Sequence, residues 1–313
     1  KKNFTLPAMF TPLNLRELTL LNRVVMSPMG MYSADDLDGT PTDFHVVHIG
    51  SRAVGGAGLV FTEMTQVSRE GRISPGDAGI WDDKHTEAWK RVVDFVHQHT
   101  DAKIGMQLGH AGRKGCEPIA WERHKPLPED QKWEIVAPSA IPFSPESETP
   151  VEMNQGDIAK AIADFANGAE RANEAGFDII ELHAGHGYLL SSFISPLSNT
   201  RTDSYGGTIN NRMKFPLEVF QAVRKVWPDK KPISARISAI DWDDGGNQIE
   251  DGVQVGKLFK KAGLDILDVS SGNVTYVRRP AVSGLFQTPF SEQIRRETGI
   301  PTMTVGNLSL IHI

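Results

Sequence analysis

Residues 232–240 read Pro-Ile-Ser-Ala-Arg-Ile-Ser-Ala-Ile. Ile233, Ala235 and Ile237 alternate with Ser234, Arg236 and Ser238, so a strand here carries one apolar and one polar face. The pattern recurs twice upstream. Ile104, Met106 and Leu108 alternate with Gly105, Gln107 and Gly109, and Ile180 and Leu182 with Glu181 and His183. An open parallel sheet covered by helices on both sides would be apolar on both faces. A closed barrel lined near its mouth for a polar ligand has the observed alternation. The fold class is therefore α/β, a (β/α)8 TIM barrel.

The rest of the chain agrees. Strand candidates are Val24–Met29, Leu59–Thr65, Lys103–His110, Phe177–Ala184, Pro232–Ile240, Leu264–Ser271 and Pro301–Gly306. Helix candidates between them include His85–Thr100, Asp157–Ala175, Ile209–Trp227, Ile249–Ala262 and Pro289–Thr298. Three of these end in Ala-Gly or Thr-Gly, a glycine stop that feeds the next strand. Residues 10–22 read as a short hairpin on the barrel floor, and the Pro- and Trp-rich stretch 112–156 as an active-site loop. Gly55-Gly56-Ala57-Gly58 lacks the dinucleotide-binding spacing and reads as a tight turn. The whole of 1–313 reads as one domain, truncated after its seventh strand.

Composition sets limits. The 313 residues carry a formal net charge of −6, which argues against nucleic acid or an anionic membrane as partner. No apolar run is long enough for a membrane span and no signal peptide is visible, so the cytoplasm is the expected location. One cysteine, Cys116, excludes an internal disulfide framework and a cysteine-ligated cluster.

The chemistry concentrates in His183-Ala-Gly-His186-Gly-Tyr188, at the end of the fourth strand. Two histidines and a tyrosine are side chains that donate hydrogen bonds or carry protons near neutral pH. The pair could be satisfied by local carbonyls, could bind a metal, or could clamp a carbonyl oxygen. A metal lacks the extra ligands it needs, and Tyr188 favours the clamp. Gln107 and Arg236 sit on inward polar faces. Arg236 either forms an internal ion pair, with Glu181 as candidate partner, or sets its cation against a bound ring. Asp268 and Ser270 belong to the same lining.

Several motifs in order make a family resemblance. They are Asn22-Arg23-Val-Val-Met-Ser27-Pro28-Met29, Gln107-Leu-Gly-His110-Ala-Gly-Arg113-Lys114, the His183–Tyr188 segment, Ser195-Pro-Leu-Ser-Asn199-x-Arg201-Thr-Asp203-x-Tyr205-Gly-Gly, and Asn211-Arg212. Across nearly its whole length the chain resembles the Old Yellow Enzyme family of FMN-dependent ene-reductases, in its compact bacterial branch. The resemblance implies an oxidoreductase that reduces FMN with NADPH or NADH and passes hydride to the activated C=C of an enone. It implies that Ser27, Pro28, Met29, Met64, Gln107 and Arg236 bind the flavin, and that Gly306 and Asn307 begin a phosphate-binding segment. His183 and His186 would hold the substrate carbonyl, Tyr188 would be the proton donor, and Tyr32 would border the substrate.

Two departures stand out. Gly30 occupies the place where the compact branch usually has cysteine. The family also continues past residue 313 with an eighth strand that carries a phosphate-binding arginine, so these residues alone are expected to bind FMN weakly. Several stretches look similar to the reductase half of two-part aryl-CoA enzymes, such as 2-aminobenzoyl-CoA monooxygenase/reductase and salicylyl-CoA 5-hydroxylase. That likeness implies an aryl-CoA-derived substrate and fusion to an N-terminal monooxygenase domain. A free-standing ene-reductase able to form homo-oligomers is the leading reading, the two-part enzyme is its alternative, and a non-catalytic barrel without flavin is a third.

Overall fold

The computed structural model describes residues 6–122, 124–276 and 284–308. A hairpin comes first, β1 (Leu13–Leu15) paired antiparallel with β2 (Leu18–Leu20). Next come β3 (Val25–Met26), α1 (Asp43–Val54), β4 (Leu59–Gln66), α2 (Asp83–His99) and β5 (Lys103–Gly109). A long excursion carries the short parallel pair β6 (Val136–Ala137) and β7 (Val151–Glu152), then α3 (Gln155–Glu174) and β8 (Ile179–Ala184). After β8 follow α4 (Leu189–Ile194), α5 (Ile209–Arg212), α6 (Lys214–Val226) and β9 (Ile233–Ser238). The last elements are α7 (Ile249–Ala262), β10 (Ile266–Ser270), α8 (Thr288–Thr298) and β11 (Thr302–Thr304).

Seven strands form one parallel sheet in the order β11-β10-β9-β8-β5-β4-β3, so each pairs with its neighbour in sequence. This is the curled sheet of a TIM barrel, with β3 and β11 as its two edges. The outward faces hold the main core. Ile104, Met106, Leu108, Ile180, Leu182, Ile233, Ala235 and Ile237 pack with Trp89, Phe165, Phe220 and Phe259 from the surrounding helices. Inside, the floor is apolar: Leu59, Phe61, Ile179 and Ile266 pack against Leu15 and Leu20 of the hairpin. Gly105 is required there, since a Cβ would lie 2.4 Å from the Phe61 ring.

The glycine stops work as expected. Gly176, Gly263 and Gly299 have φ of +95°, +103° and +67°, a left-handed conformation that costs glycine little. One helix differs. The sequence predicts continuous helix over 209–227, but α5 ends at Arg212 and α6 restarts at Lys214. Pro216 supplies no N–H and is tolerated in the first turn of a new helix, not in the middle of an old one. No helix among the described residues is long and apolar enough to cross a membrane.

Between β3 and β11 lies a seam. A cavity of about 820 Å³ opens there, lined by Leu13, Leu20, Val25, Ile266, Thr302 and Met303 among others. Residues 277–283 and 309–313 fall outside the described residues.

Candidate active site

All seven strands point the same way, so their C-terminal ends form a common mouth. Along β8, Ile179 is on the floor, Glu181 is midway and His183 is at the rim. That order follows from the two-residue period of a strand.

Gln107 and Glu181 are register partners on β5 and β8. The Gln107 Nε2 donates to Glu181 Oε1 at 2.9 Å, and Ser234 Oγ lies 2.7 Å from Glu181 Oε2. Arg236 does not take Glu181 as its direct partner. Its Nε lies 3.2 Å from Asp268 Oδ2 on β10, and its Nη1 donates to the Pro28 carbonyl at 3.4 Å. The register explains the choice, because Arg236 aligns with Asp268 while Glu181 aligns with Ser234. The ion pair leaves capacity over: neither Arg236 Nε nor Asp268 Oδ1 has a hydrogen-bond partner despite burial.

His183, His186 and Tyr188 come together at the rim. The His183 ring centroid lies 5.0 Å from that of His186 and 5.0 Å from that of Tyr188. Gly185 N–H donates to His183 Nδ1 at 3.3 Å, which puts the ring proton on Nε2. His186 has φ +61°, and its backbone N–H donates to Ser238 Oγ at 2.9 Å. Its Nε2 lies 2.6 Å from Ser270 Oγ, and Ser270 in turn donates to Gln287 Oε1 at 3.1 Å. Burial, then the positive charges of Arg236 and Lys114, holds His183 well below the usual imidazole range. His186 is lowered by the same causes, with a further contribution from His183. Both rings are therefore neutral at neutral pH.

Tyr32 and Tyr188 pack together against Met64, Ile73 and Ala111. Met64 reaches inward because β4 bulges. Phe61 pairs with Gly105, yet Met64, not Glu63, pairs with Gln107. Gly109 makes room for it, since a Cβ there would lie 2.3 Å from Met64 Cγ. Pro28 is buried, Met29 is largely exposed, and Ser27 faces the seam cavity. Gly306 and Asn307 follow β11 at the mouth end, with φ +101° and +49°.

Three groups make contacts that the sequence reading does not give, although it puts Ser270 in the polar lining. Glu63 Oε1 meets His45 Nε2 at 2.9 Å, and Glu63 Oε2 accepts from Met31 N–H at 3.0 Å. Lys114 Nζ donates to the carbonyls of His186 (2.8 Å) and Asn273 (3.1 Å) and lies 4.9 Å from the Tyr188 ring centroid. Ser270 meets His186 across 84 residues. The first two hold loops in place and the third holds a ring, through contacts no local pattern reveals. The segment 199–205 is a latch. Arg201 Nη2 meets Asp203 Oδ2 at 2.6 Å, and Arg201 Nη1 donates to the Met153 and Pro138 carbonyls at 2.7 and 3.0 Å.

No cluster of three or more His, Cys, Asp or Glu that could hold a metal occurs among the described residues. A parallel barrel with a guanidinium, an amide and two neutral imidazoles at its mouth defines a class, the barrel enzymes that act on small organic molecules. The chain belongs to the NADH:flavin oxidoreductase / NADH oxidase family, which matches residues 8–311. It is 47% identical over 298 residues to an NADPH dehydrogenase of Listeria innocua serovar 6a, covering 95% of this chain and 83% of that one. Among solved structures, morphinone reductase superposes with a TM-score of 0.81 at 29% identity, covering 98% of this chain and 82% of its own. The old yellow enzyme homologue from Zymomonas mobilis gives 0.80 at 26% identity, over 97% and 83% of the two chains. The protein is thus an oxidoreductase that works with FMN and a nicotinamide reductant.

Proposed function

We propose that the protein reduces the activated C=C of an α,β-unsaturated carbonyl compound. The observation that carries this reading is the rim cluster: two neutral imidazoles within 5.0 Å of each other and a phenol 5.0 Å from one of them. The mouth suits a flavin ring. Arg236 offers a buried cation whose Nε, though ion-paired with Asp268, makes no hydrogen bond, Gln107 an amide, and the Pro28–Met29 segment its backbone. Gly306 and Asn307, at the same end of the barrel, would begin a phosphate site. Bound there, FMN would take a hydride from NAD(P)H and yield it to the β-carbon of the alkene.

The side chains do the rest. The His183 Nε2–H donates to the carbonyl oxygen, where negative charge develops as hydride arrives. His186 borders the same oxygen, Tyr32 walls the pocket, and Tyr188 gives a proton to the α-carbon. One hydride and one proton add across the C=C bond, and NAD(P)H leaves as NAD(P)+. The tyrosine is reprotonated from solvent.

A free-standing reductase in the cytoplasm is favoured over the reductase half of an aryl-CoA enzyme. The 298 matched residues make up 83% of the Listeria relative, an NADPH dehydrogenase. The test is Tyr188→Phe in protein carrying FMN. Steady-state reduction of cyclohexenone should fall about 10²- to 10⁴-fold, the usual worth of a positioned proton donor. Reduction of the flavin by NADPH should persist. Undiminished enone turnover in the variant would remove Tyr188 from the reaction.

A further inference from the structure

Below the rim, the barrel interior holds an imbalance of charge. Glu181 is fully buried, Asp268 and Arg236 nearly so, at 0%, 2% and 7% exposure. Two carboxyl groups thus share one guanidinium, and Asp268 occupies it at 3.2 Å. Glu181 faces Gln107 from β5, Ser234 and Arg236 from β9, and Asp268 from β10. A second ionised carboxylate here would be a buried charge without a cation of its own, an expensive arrangement.

Gln107 and Ser234 both donate to Glu181, which by itself favours a carboxylate, but the neutral acid keeps both contacts once its Oε2–H donates to the Ser234 hydroxyl instead. Glu181 Oε1 accepts from Gln107 Nε2 at 2.9 Å, as a carbonyl oxygen does. Glu181 Oε2 lies 2.7 Å from Ser234 Oγ, an ordinary O–H···O distance. We propose that Glu181 is a positioning residue, kept as an uncharged carboxylic acid at neutral pH, that fixes the Gln107 amide and spares the flavin site a second buried negative charge. This rests on the reading that Gln107 and Arg236 face the flavin. Burial, then repulsion from Asp268, pushes the Glu181 carboxyl up to about 8. Mildly alkaline solution should therefore ionise it.

The consequences are specific. With its Nε2 tied to Glu181, Gln107 presents its Oε1 as the end that can accept from a bound ring. Ionised Glu181 would set a negative charge beneath that ring and disfavour adding electrons to it. The potential of the bound flavin should therefore fall more steeply with pH above 8 than below.

Difference infrared spectroscopy tests the protonation state directly, with or without flavin. Wild-type protein made with 13C-labelled glutamate should show an isotope-shifted protonated-carboxyl C=O band at pH 6.5 that disappears by pH 10. Its absence at pH 6.5 overturns the proposal, and no variant needs to fold for that result. Flavin absorbance reports separately on the flavin reading, since a protein that refuses FMN can still show the band.

Two variants then test positioning. Glu181→Gln keeps both hydrogen bonds of the neutral acid and should bind FMN within twofold of wild type at pH 6.5, while losing the extra steepness above pH 8. Glu181→Ala frees the Gln107 amide and should weaken FMN binding about tenfold at either pH, the worth of one hydrogen bond. A glutamine variant as weak as the alanine variant at pH 6.5 would show that the carboxylate form is the one the site uses.

Discussion

Gly30 lies beside residues that are read as the flavin's edge. A Cβ built there would lie 3.6 Å from the Tyr32 ring and hydroxyl, ordinary contact distances, and its φ is not in the left-handed region. Cysteine therefore fits without displacing the backbone. Gly30→Cys should move the midpoint potential of bound FMN on the order of 30 mV, about 1.4 kcal/mol for a two-electron couple. Spectroelectrochemical titration reads the shift, and superimposable curves would end the idea. At this scale the sequence was most legible where neighbouring motif residues come together at the rim, as His183, His186 and Tyr188 do. It was less so where function lies in pairing. The sequence suggested Glu181 as the partner of Arg236, and the strand register sends it to Asp268 instead.

The bulge in β4 is the element on which the mouth turns. One extra residue between Phe61 and Met64 sends Met64 inward and leaves Glu63 to bond His45 of α1 and the Met31 N–H. The segment carrying Pro28 to Tyr32 is thereby pinned to the sheet. Glu63→Ala would strand a buried imidazole N–H and a backbone N–H, at a cost of about 2 kcal/mol. Hydrogen exchange at the Met31 amide should accelerate by roughly tenfold or more, while the amides of β8 keep their protection. Unchanged exchange at Met31 would show that other contacts hold the segment. Neither the bulge nor α1 could be read beforehand. Residues 59–66 are buried throughout, so no alternation marks the slip, and α1 exposes Val47 and Val54 where an amphipathic pattern would have shown polar residues.

For the molecule as a whole, the strand faces carried the architecture, because an inside–outside contrast repeated over three strands admits few folds. The seam and its cavity were less legible, since they arise from how two edges face each other. Acid stability is also a property of the whole chain, and buried His110 exposes one part of it. Its Nδ1 accepts from the Gly112 N–H at 3.0 Å, and burial lowers its pKa to about 4. The unfolded chain binds this proton near pH 6.5 and the folded chain only near 4, so stability falls as pH drops through that window. Relative to wild type, His110→Asn should be spared roughly 3 kcal/mol of that loss. Denaturant midpoints followed from pH 7 to pH 4 read it, and parallel slopes in the two proteins would remove His110 from the account.

The sequential strand order bears on how a ribosome would deliver this barrel. When each parallel strand emerges, the strand it pairs with has just been made, so the wall can grow in the order of synthesis. The floor is the exception. Arg16 beside the hairpin bonds the Asp229 carbonyl and the Asp265 carboxylate, 213 and 249 residues downstream. The part of the barrel built from the chain's first strands is the part that must wait longest for its partners.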